Sequence, residues 1–376
     1  MRQTLALCLF ALIVTPSLGQ GDAAIRKWDF ENGLGGWACL DATDHVSTTD
    51  AQDAVFEGQG AMEFSFKQRT SLGGLGSGIW PGFIAVTLDD APTDLASVSL
   101  AVASAYSTGV GVMLVEEDGS AYMTGAWSEA GKWSECVLST DDFVLARGSE
   151  DDNAQLDSDQ IAQVALGDVG VLNHLLKQMG APLYVPEPVQ MTLWVDEIVL
   201  SSAPVEQDTP AAADAKIVPI DACSRDTIQW LPIGGEEVRM ETRTDEDDRP
   251  QYLEVGFAAP PGTIFGVARQ FGAGALADCK TVVAEMKVDI GGPVAIGFED
   301  QDQNHYFAMQ TLESSDEWQQ VTVSLDSLEL APEPRGEDVA PAPEKFTAVY
   351  IADILGAMQY TYSANTWRIR NVRAEK

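Results

Sequence analysis

The stretch Val110-Gly-Val-Met-Leu-Val-Glu-Glu-Asp-Gly-Ser-Ala-Tyr122 returns later in the chain as Val294-Ala-Ile-Gly-Phe-Glu-Asp-Gln-Asp-Gln-Asn-His-Tyr306. Both copies alternate apolar residues with others, reach an acidic turn, and resume at a tyrosine. Period-two alternation sends one face of a strand into a core and the other outward. Glu117-Asp118-Gly119 carries turn chemistry, so the stretch reads as a hairpin. Asp300-Gln-Asp302-Gln-Asn304 reads as the same turn in the second copy. It lacks the Gly and the terminal Glu of a calcium-binding EF-hand loop.

The match extends beyond the hairpin. Lys132-Trp133-Ser-Glu-Cys-Val-Leu138 matches Glu317-Trp318-Gln-Gln-Val-Thr-Val323, and Ile161-Ala-Gln-Val-Ala-Leu-Gly-Asp168 matches Phe346-Thr-Ala-Val-Tyr-Ile-Ala-Asp353. Ala61 to Phe66 resembles Tyr252 to Phe257, and Leu193 to Ile198 resembles Trp367 to Val372. All the blocks keep one order, and the first three keep a near-constant register, which points to a duplicated domain and not a short-period solenoid. Short alternating runs such as Val98, Leu100 and Val102, separated by turn formers such as Gly291-Gly-Pro293, predict an all-β chain: two tandem antiparallel β-sandwich (jelly-roll) domains. One segment departs from this. Val171, Leu172, Leu175 and Leu176 have helical spacing, and since the second half lacks most of this segment it reads as a short helical insertion. The resulting division is residues 1–19 as a signal peptide, 20–202 as domain 1, 203–216 as a linker carrying Pro204, Pro210 and Ala211-Ala-Ala213, and 217–376 as domain 2.

The N-terminal assignment rests on Arg2, the apolar run Thr4 to Val14, Pro16, and small residues at Ser17 and Gly19, the layout of a secretory signal cut before Gln20. The chain is then expected to be secreted or periplasmic. No later run is long and apolar enough for a membrane helix, so no membrane insertion is expected. Asp and Glu number 58 against 22 Lys and Arg, for a net charge of −36. That charge argues against nucleic acid as a partner. Cys39, Cys136, Cys223 and Cys279 remain after the signal; two fall in each half, so Cys39 with Cys136 and Cys223 with Cys279 is the simplest pairing, with free buried thiols the alternative.

A further pattern is carried by Trp28-Asp-Phe-Glu31, Gly35-Gly-Trp37, Glu57-Gly-Gln-Gly60-Ala-Met-Glu-Phe64, Lys132-Trp133 with Asp142-Phe143, and Leu193-Trp-Val-Asp196-Glu-Ile198. In this order the motifs resemble the galactose-binding-like jelly rolls, nearest to carbohydrate-binding modules of families 4/9 and 11 and to the complex I intermediate-associated protein 30 type domain. The second half keeps the later motifs and lacks the opening ones. The resemblance implies a concave sheet face or loop rim that binds a glycan or polysaccharide. It also implies one structural Ca²⁺ in domain 1, with Asp29, Glu31, Glu57 and Asp196 in the matching places and oxygen ligands of the kind calcium takes. Asp196 aligns with Arg370, so no equivalent ion is expected in domain 2.

Sugar recognition needs flat rings with polar neighbours. Trp133/Trp318 and Tyr122/Tyr306 are aromatic in both halves and are expected in the core, as are Trp28, Trp37 and Trp194. The ligand candidates are aromatics and a histidine outside that shared set: Trp80 after the glycine-rich Gly73 to Gly78, Tyr106 and Trp127 in domain 1, and His305, Tyr360 and Tyr362 in domain 2. The glycine-rich stretch lacks a phosphate-loop ending. No nucleophile elbow or His-Glu-x-x-His helix occurs, so no catalytic residue is nominated. The function expected is non-catalytic carbohydrate recognition through domain 1. A structural or protein-interaction component of the cell envelope, bound to other envelope proteins, is the alternative, and a glycan-active enzyme the second.

Overall fold

The structure is a computed structural model that describes residues 23–70, 82–146, 148–205, 216–223, 225–244, 251–331 and 340–376. The signal-peptide assignment, Trp80 and most of the linker assignment lie outside the described residues.

The first half is built from β1 (Ala24–Trp28), β2 (Ala38–Cys39), β3 (His45–Thr49), β4 (Ala61–Lys67), β5 (Phe83–Thr87), β6 (Ser97–Ser104), β7 (Thr108–Glu116), β8 (Ala121–Ser128), β9 (Ser134–Ser139), β10 (Val144–Leu145), β11 (Ile161–Asp168), helix α1 (Val171–Gln178) and β12 (Gln190–Ser201). The second half is built from β13 (Ile217–Asp221), β14 (Leu231–Ile233), β15 (Glu236–Arg243), β16 (Tyr252–Ala259), β17 (Phe265–Gln270), β18 (Thr281–Val288), β19 (Gly292–Asp300), β20 (His305–Leu312), β21 (Ser315–Ser324), β22 (Glu329–Leu330), β23 (Phe346–Asp353), helix α2 (Leu355–Gln359) and β24 (Ser363–Glu375).

Each half forms two six-stranded sheets. In the first they run β3-β4-β12-β6-β9, with β1 beside β12, and β10-β8-β7-β11-β5-β2. In the second they run β15-β16-β24-β18-β21, with β13 beside β24, and β14-β17-β23-β19-β20-β22. The orders correspond strand for strand, and the named strands pair antiparallel throughout. The chain is thus two tandem jelly-roll sandwiches, and β13 to β15 fill the places of β1 to β3 even though the opening motifs are missing. A bulge recurs as well: Glu197 and Asn371, each at φ 51°, follow the aligned Asp196 and Arg370.

The alternation read from sequence is the alternation of burial. Met62, Phe64, Phe66, Val110, Val112, Leu114 and Tyr122 meet between the sheets of the first sandwich. Val255, Phe257, Phe265, Ile296, Phe298, Tyr306 and Trp367 do so in the second. Complete burial of each such side chain contributes about 1.5–3 kcal/mol. The aligned tyrosines also anchor acidic turns: the Tyr122 hydroxyl donates to Asp151, and that of Tyr306 donates to Asp300 at 3.2 Å. Burial, with the Asp300 charge beside it, pushes the Tyr306 phenol up to about 12.

Three expectations change. Trp133 and Trp318 are half-buried and outside the core. Trp318 lies beneath Arg370 (4.0 Å) and Lys287 (4.7 Å), and Trp133 packs on the exposed Phe56. Trp194 is also only half-buried, its indole N–H donating to Glu63 at 3.0 Å. The four cysteines are free thiols. Cys39 belongs to β2 at one end of its sheet, next to β3, whereas Cys136 belongs to β9, at the opposite end of the facing sheet from β3. That leaves the first proposed pair across the width of the sandwich.

The two sandwiches touch directly. Trp127 N–H donates to Ile228 O (2.8 Å), Ile264 N–H to Pro182 O (2.8 Å), and Val137 N–H to Thr227 Oγ1 (2.9 Å). The Asn173 amide on α1 donates to Pro232 O (3.1 Å) and accepts from Gly234 N–H (3.2 Å), gripping β14 at its middle and just past its end. Arg269 reaches from β17 to Asp142 at 3.4 Å.

Candidate functional site

Because the sandwiches correspond, the outward face of β10-β8-β7-β11-β5-β2 can be compared with that of β14-β17-β23-β19-β20-β22 residue by residue. In the first sandwich one cross-strand row is Ala38, Ala85, Ala165, Met113, Met123, and the next is Phe83, Gly167, Gly111, Gly125. This face is covered. Phe83, Ala85, Met113, Met123 and Ala165 form an apolar cluster with Val169 and Val171, against which Leu172 and Leu175 of α1 and Leu231 of β14 pack. Small residues are what let the cover sit down. A Cβ on Gly111 would come within 2.5 Å of Val169, and one on Gly125 within 3.0 Å of Leu231.

The corresponding row of the second sandwich reads Leu231, Ala268, Tyr350, Gly297, Phe307, Glu329 across β14, β17, β23, β19, β20 and β22. Flanking rows hold Gln270, Ala348, Glu299 and His305 on one side, and Gly266, Ala352, Ala295 and Met309 on the other. Tyr350 lies across Gly297: a Cβ there would meet the ring at 2.2 Å. The Tyr350 hydroxyl donates to Tyr306 O at 3.2 Å, and His305 meets the ring edge-on with centroids 6.2 Å apart. Burial, reinforced by the Glu299 charge, raises the Tyr350 phenol, so it stays a neutral donor. The helix that follows β23 in the place of α1, α2, is five residues long against eight, so the expected helical insertion is shortened in the second half and not missing from it. Phe307 and His305 remain half-buried and Met309 is 43% exposed. This face offers a flat ring with apolar flanks and polar groups within the same three rows.

The nominated ligand residues fall in different places. His305 lies on this face. Tyr360 and Tyr362 are exposed, but they follow α2, beyond the other end of β23 from the Ala348–Glu299–His305 row. Tyr106 is exposed in the β6–β7 turn. Trp127 is 5% exposed and belongs to the hydrophobic cluster of the second sandwich, so it is an interface residue and not an open ligand contact. Tyr350 and Phe307 were missed. The signal available was that Tyr350 aligns with Ala165 and Gly297 with Met113, an exchange of large and small residues within one row.

The four nominated calcium ligands sit around the β1 and β12 ends. Asp196 is fully buried and accepts from Glu57 N–H (3.1 Å) and Glu197 N–H (2.8 Å); burial pushes it up to about 6 despite these bonds. Glu31 accepts from Gln59 N–H at 2.6 Å and Gly60 N–H at 3.3 Å, and Asp29 from Glu31 N–H at 3.2 Å. The carboxylates of Asp29, Glu31 and Asp196 each accept from backbone amides, whereas Glu57 joins this set through its own N–H. Among the described residues, the group whose carboxylate oxygens lie within 4.8 Å of one another is instead Glu116, Asp118 and Asp151, at the β7–β8 turn. In the second sandwich Arg370 pairs with Glu285 at 2.7 Å.

Fold and strand register thus define the class: two tandem antiparallel β-sandwiches of jelly-roll form. No protein-family model matches the chain, and no curated protein does. Among solved structures it is similar to the family 11 carbohydrate-binding module of a cellulosomal cellulase from Clostridium thermocellum, at 13% identity over 43% of this chain and 96% of that one, with a TM-score of 0.34. It is also similar to the tandem of family 22 carbohydrate-binding modules from Paenibacillus barcinonensis, at 12% identity over 96% of this chain and 99% of that one (TM-score 0.30). A family 29 carbohydrate-binding module matches at 13% identity over 42% and 83% of the two chains (TM-score 0.28).

Proposed function

We propose that this chain is a non-catalytic carbohydrate-binding protein whose glycan site is the open sheet face of the second sandwich. The observation that carries the reading is the Tyr350 ring lying over Gly297, in one row with Phe307. A flat ring takes the C–H face of a sugar, and the edge groups satisfy its hydroxyls; Glu299, His305 and Gln270 stand in the adjoining row for that purpose. The expected route through the first sandwich gives way to this one because its equivalent face is filled by α1 and Leu231. Carboxylates on the face and the net charge of −36 favour neutral polysaccharides over anionic ones. We place the activity outside the cytoplasm, on the signal-like pattern of residues 1–19; among the described residues no helix is long and apolar enough to cross a membrane.

The test is retardation in affinity gels cast with β-glucan, xylan or agarose, followed by titration calorimetry on the retained ligand. Tyr350→Ala and Phe307→Ala should each weaken binding at least tenfold with the melting temperature little changed. Retention unaffected by both substitutions sinks this site. Release of reducing sugar would replace the binding reading with an enzymatic one.

A further inference from the structure

A cleft of about 520 Å³ lies between the two sandwiches, and none of the face residues above lines it. Its volume is within the range of small-molecule sites, about 300–1,000 Å³. One wall is the Thr140–Phe143 turn that ends β9. The other is β13 with Arg225, Arg269 and Phe271.

The wall chemistry is lopsided. Arg269, 4% exposed, donates to Asp221 (3.0 Å), Gln229 (2.8 Å) and Asp142 (3.4 Å), yet its Nε–H is buried without a partner. Arg225 also has a buried Nη1 without a partner, and the ion pairs among the described residues do not include it. Gln229, which Arg269 holds but which does not itself line the cleft, has an unmet Nε2 too. All three are donors. A buried donor left unmade costs about 1–3 kcal/mol, and such groups in native folds are normally met by water, an ion or a ligand. Asp142 and Asp221 offset the Arg269 charge, which leaves Arg225 as the cation of the cleft without an ion-pair partner among the described residues. Asp141 adds an acceptor to the wall.

We propose that the cleft is a second ligand site, separate from the glycan face, for a polyhydroxy carboxylate, the chemistry of a uronic or aldonic acid. The ligand carboxylate takes the Arg225 guanidinium. Its hydroxyls accept from Arg269 Nε–H and donate to Asp141. A plain anion would leave the carboxylate wall unused, and a neutral sugar would leave Arg225 without a counter-charge. Charge-assisted bonds from guanidinium to carboxylate are about twice as strong as neutral ones, so the acid group should decide affinity.

The experiment is calorimetric titration of the full chain with D-galacturonate, D-gluconate, trigalacturonate and D-galactose. The acids should bind and galactose should bind at least tenfold more weakly. Arg225→Gln should lose at least tenfold for the acids, while Arg225→Lys recovers part of it; both should melt as the parent does. Tighter binding of trigalacturonate than of the monomer would identify a polymer as the source, and binding of monomers alone a free sugar acid. Equal affinity for galactose and galacturonate, no binding of any acid, or indifference to Arg225→Gln would overturn the proposal. The Tyr350→Ala/Phe307→Ala double variant should leave acid binding unchanged, so failure of the glycan face and failure of the cleft are read separately.

Discussion

The outer face built on β7, β8 and β11 and the one built on β19, β20 and β23 share strand order and register, yet one is closed and the other open. The closed face is lined by Ala85, Ala165, Met113 and Met123, side chains of small or moderate size that accept a second layer. That layer comes from two sources: a helix within its own sandwich and one leucine, Leu231, from the next. The open face substitutes Tyr350 for Ala165 and Gly297 for Met113, so its bulk lies in a ring that reaches over Gly297. A duplicated scaffold thus uses one copy of a surface for internal cohesion and leaves the other open. The same scaffold can do both because inward residues alone fix the sandwich, leaving outward ones free to vary.

That contrast can be broken most severely at Arg269. Arg269→Met strands the buried carboxylate of Asp142 and the half-buried one of Asp221 at the junction that holds β14 over the first sandwich. Loss of one partner of a buried ion pair costs about 3–5 kcal/mol; urea denaturation should show a loss of this size. Next, Leu231→Ala removes the seal over Gly109 and Gly125. It should cost about 2 kcal/mol and raise binding of a hydrophobic dye; stability unchanged within error would mean the face is closed by α1 alone. Gly297→Val puts a side chain where the Tyr350 ring lies, and overpacking of this kind costs about 1–3 kcal/mol. The matched exchange Met113→Val should leave glycan retention intact, whereas Gly297→Val should lose it at least tenfold. Retention by Gly297→Val would show that the ring is not the platform.

The smallest effects concern the aligned carboxylates Asp168 and Asp353, each 4% exposed at the end of its strand. Asp168 accepts from Thr108 (2.6 Å), Gly170 N–H (2.8 Å) and Gln68 (3.0 Å); Asp353 accepts from Leu355 N–H (2.8 Å) and Ser363 (3.0 Å). Burial outweighs these bonds and raises both above the ordinary aspartate value, about 3.9. The folded state then holds these protons at pH values where the unfolded chain has released them. Stability from this source is full below about pH 4 and declines as pH rises through the raised folded values. Asp168→Asn and Asp353→Asn should each flatten that decline in denaturation midpoints measured from pH 3.5 to 7. A flattening in one variant only would distinguish two halves that are otherwise alike here.

Much of this fold is legible in the sequence. The hairpin Val110–Tyr122 and its copy, the strands Ile161–Asp168 and Phe346–Asp353, and the helical spacing of Val171, Leu172 and Leu175 all read correctly, because periodicity is a local property of the chain. Aromatic pairing between halves read less well. Tyr122 and Tyr306 are core, but Trp133 and Trp318 are not, since a shared aromatic reports a shared position and not which face of the strand it occupies. Trp127 stood out as a ligand candidate for lacking a counterpart, and it lacks one because its burial comes from the second sandwich.

The amino-acid sequence alone determined two repeats of one β-sandwich, their register, and which side of each strand turns inward, since alternation along a strand is set by covalent geometry. Only the tertiary structure decided which outer face is covered. That depends on where Leu231, more than a hundred residues along the chain from Gly109 and Gly125, comes to rest, and on Arg269 finding Asp142 in the other sandwich. Contacts between distant segments leave no period in the chain. They arise when two finished sandwiches pack, and with them were settled the closed surface, the open one and the cleft between.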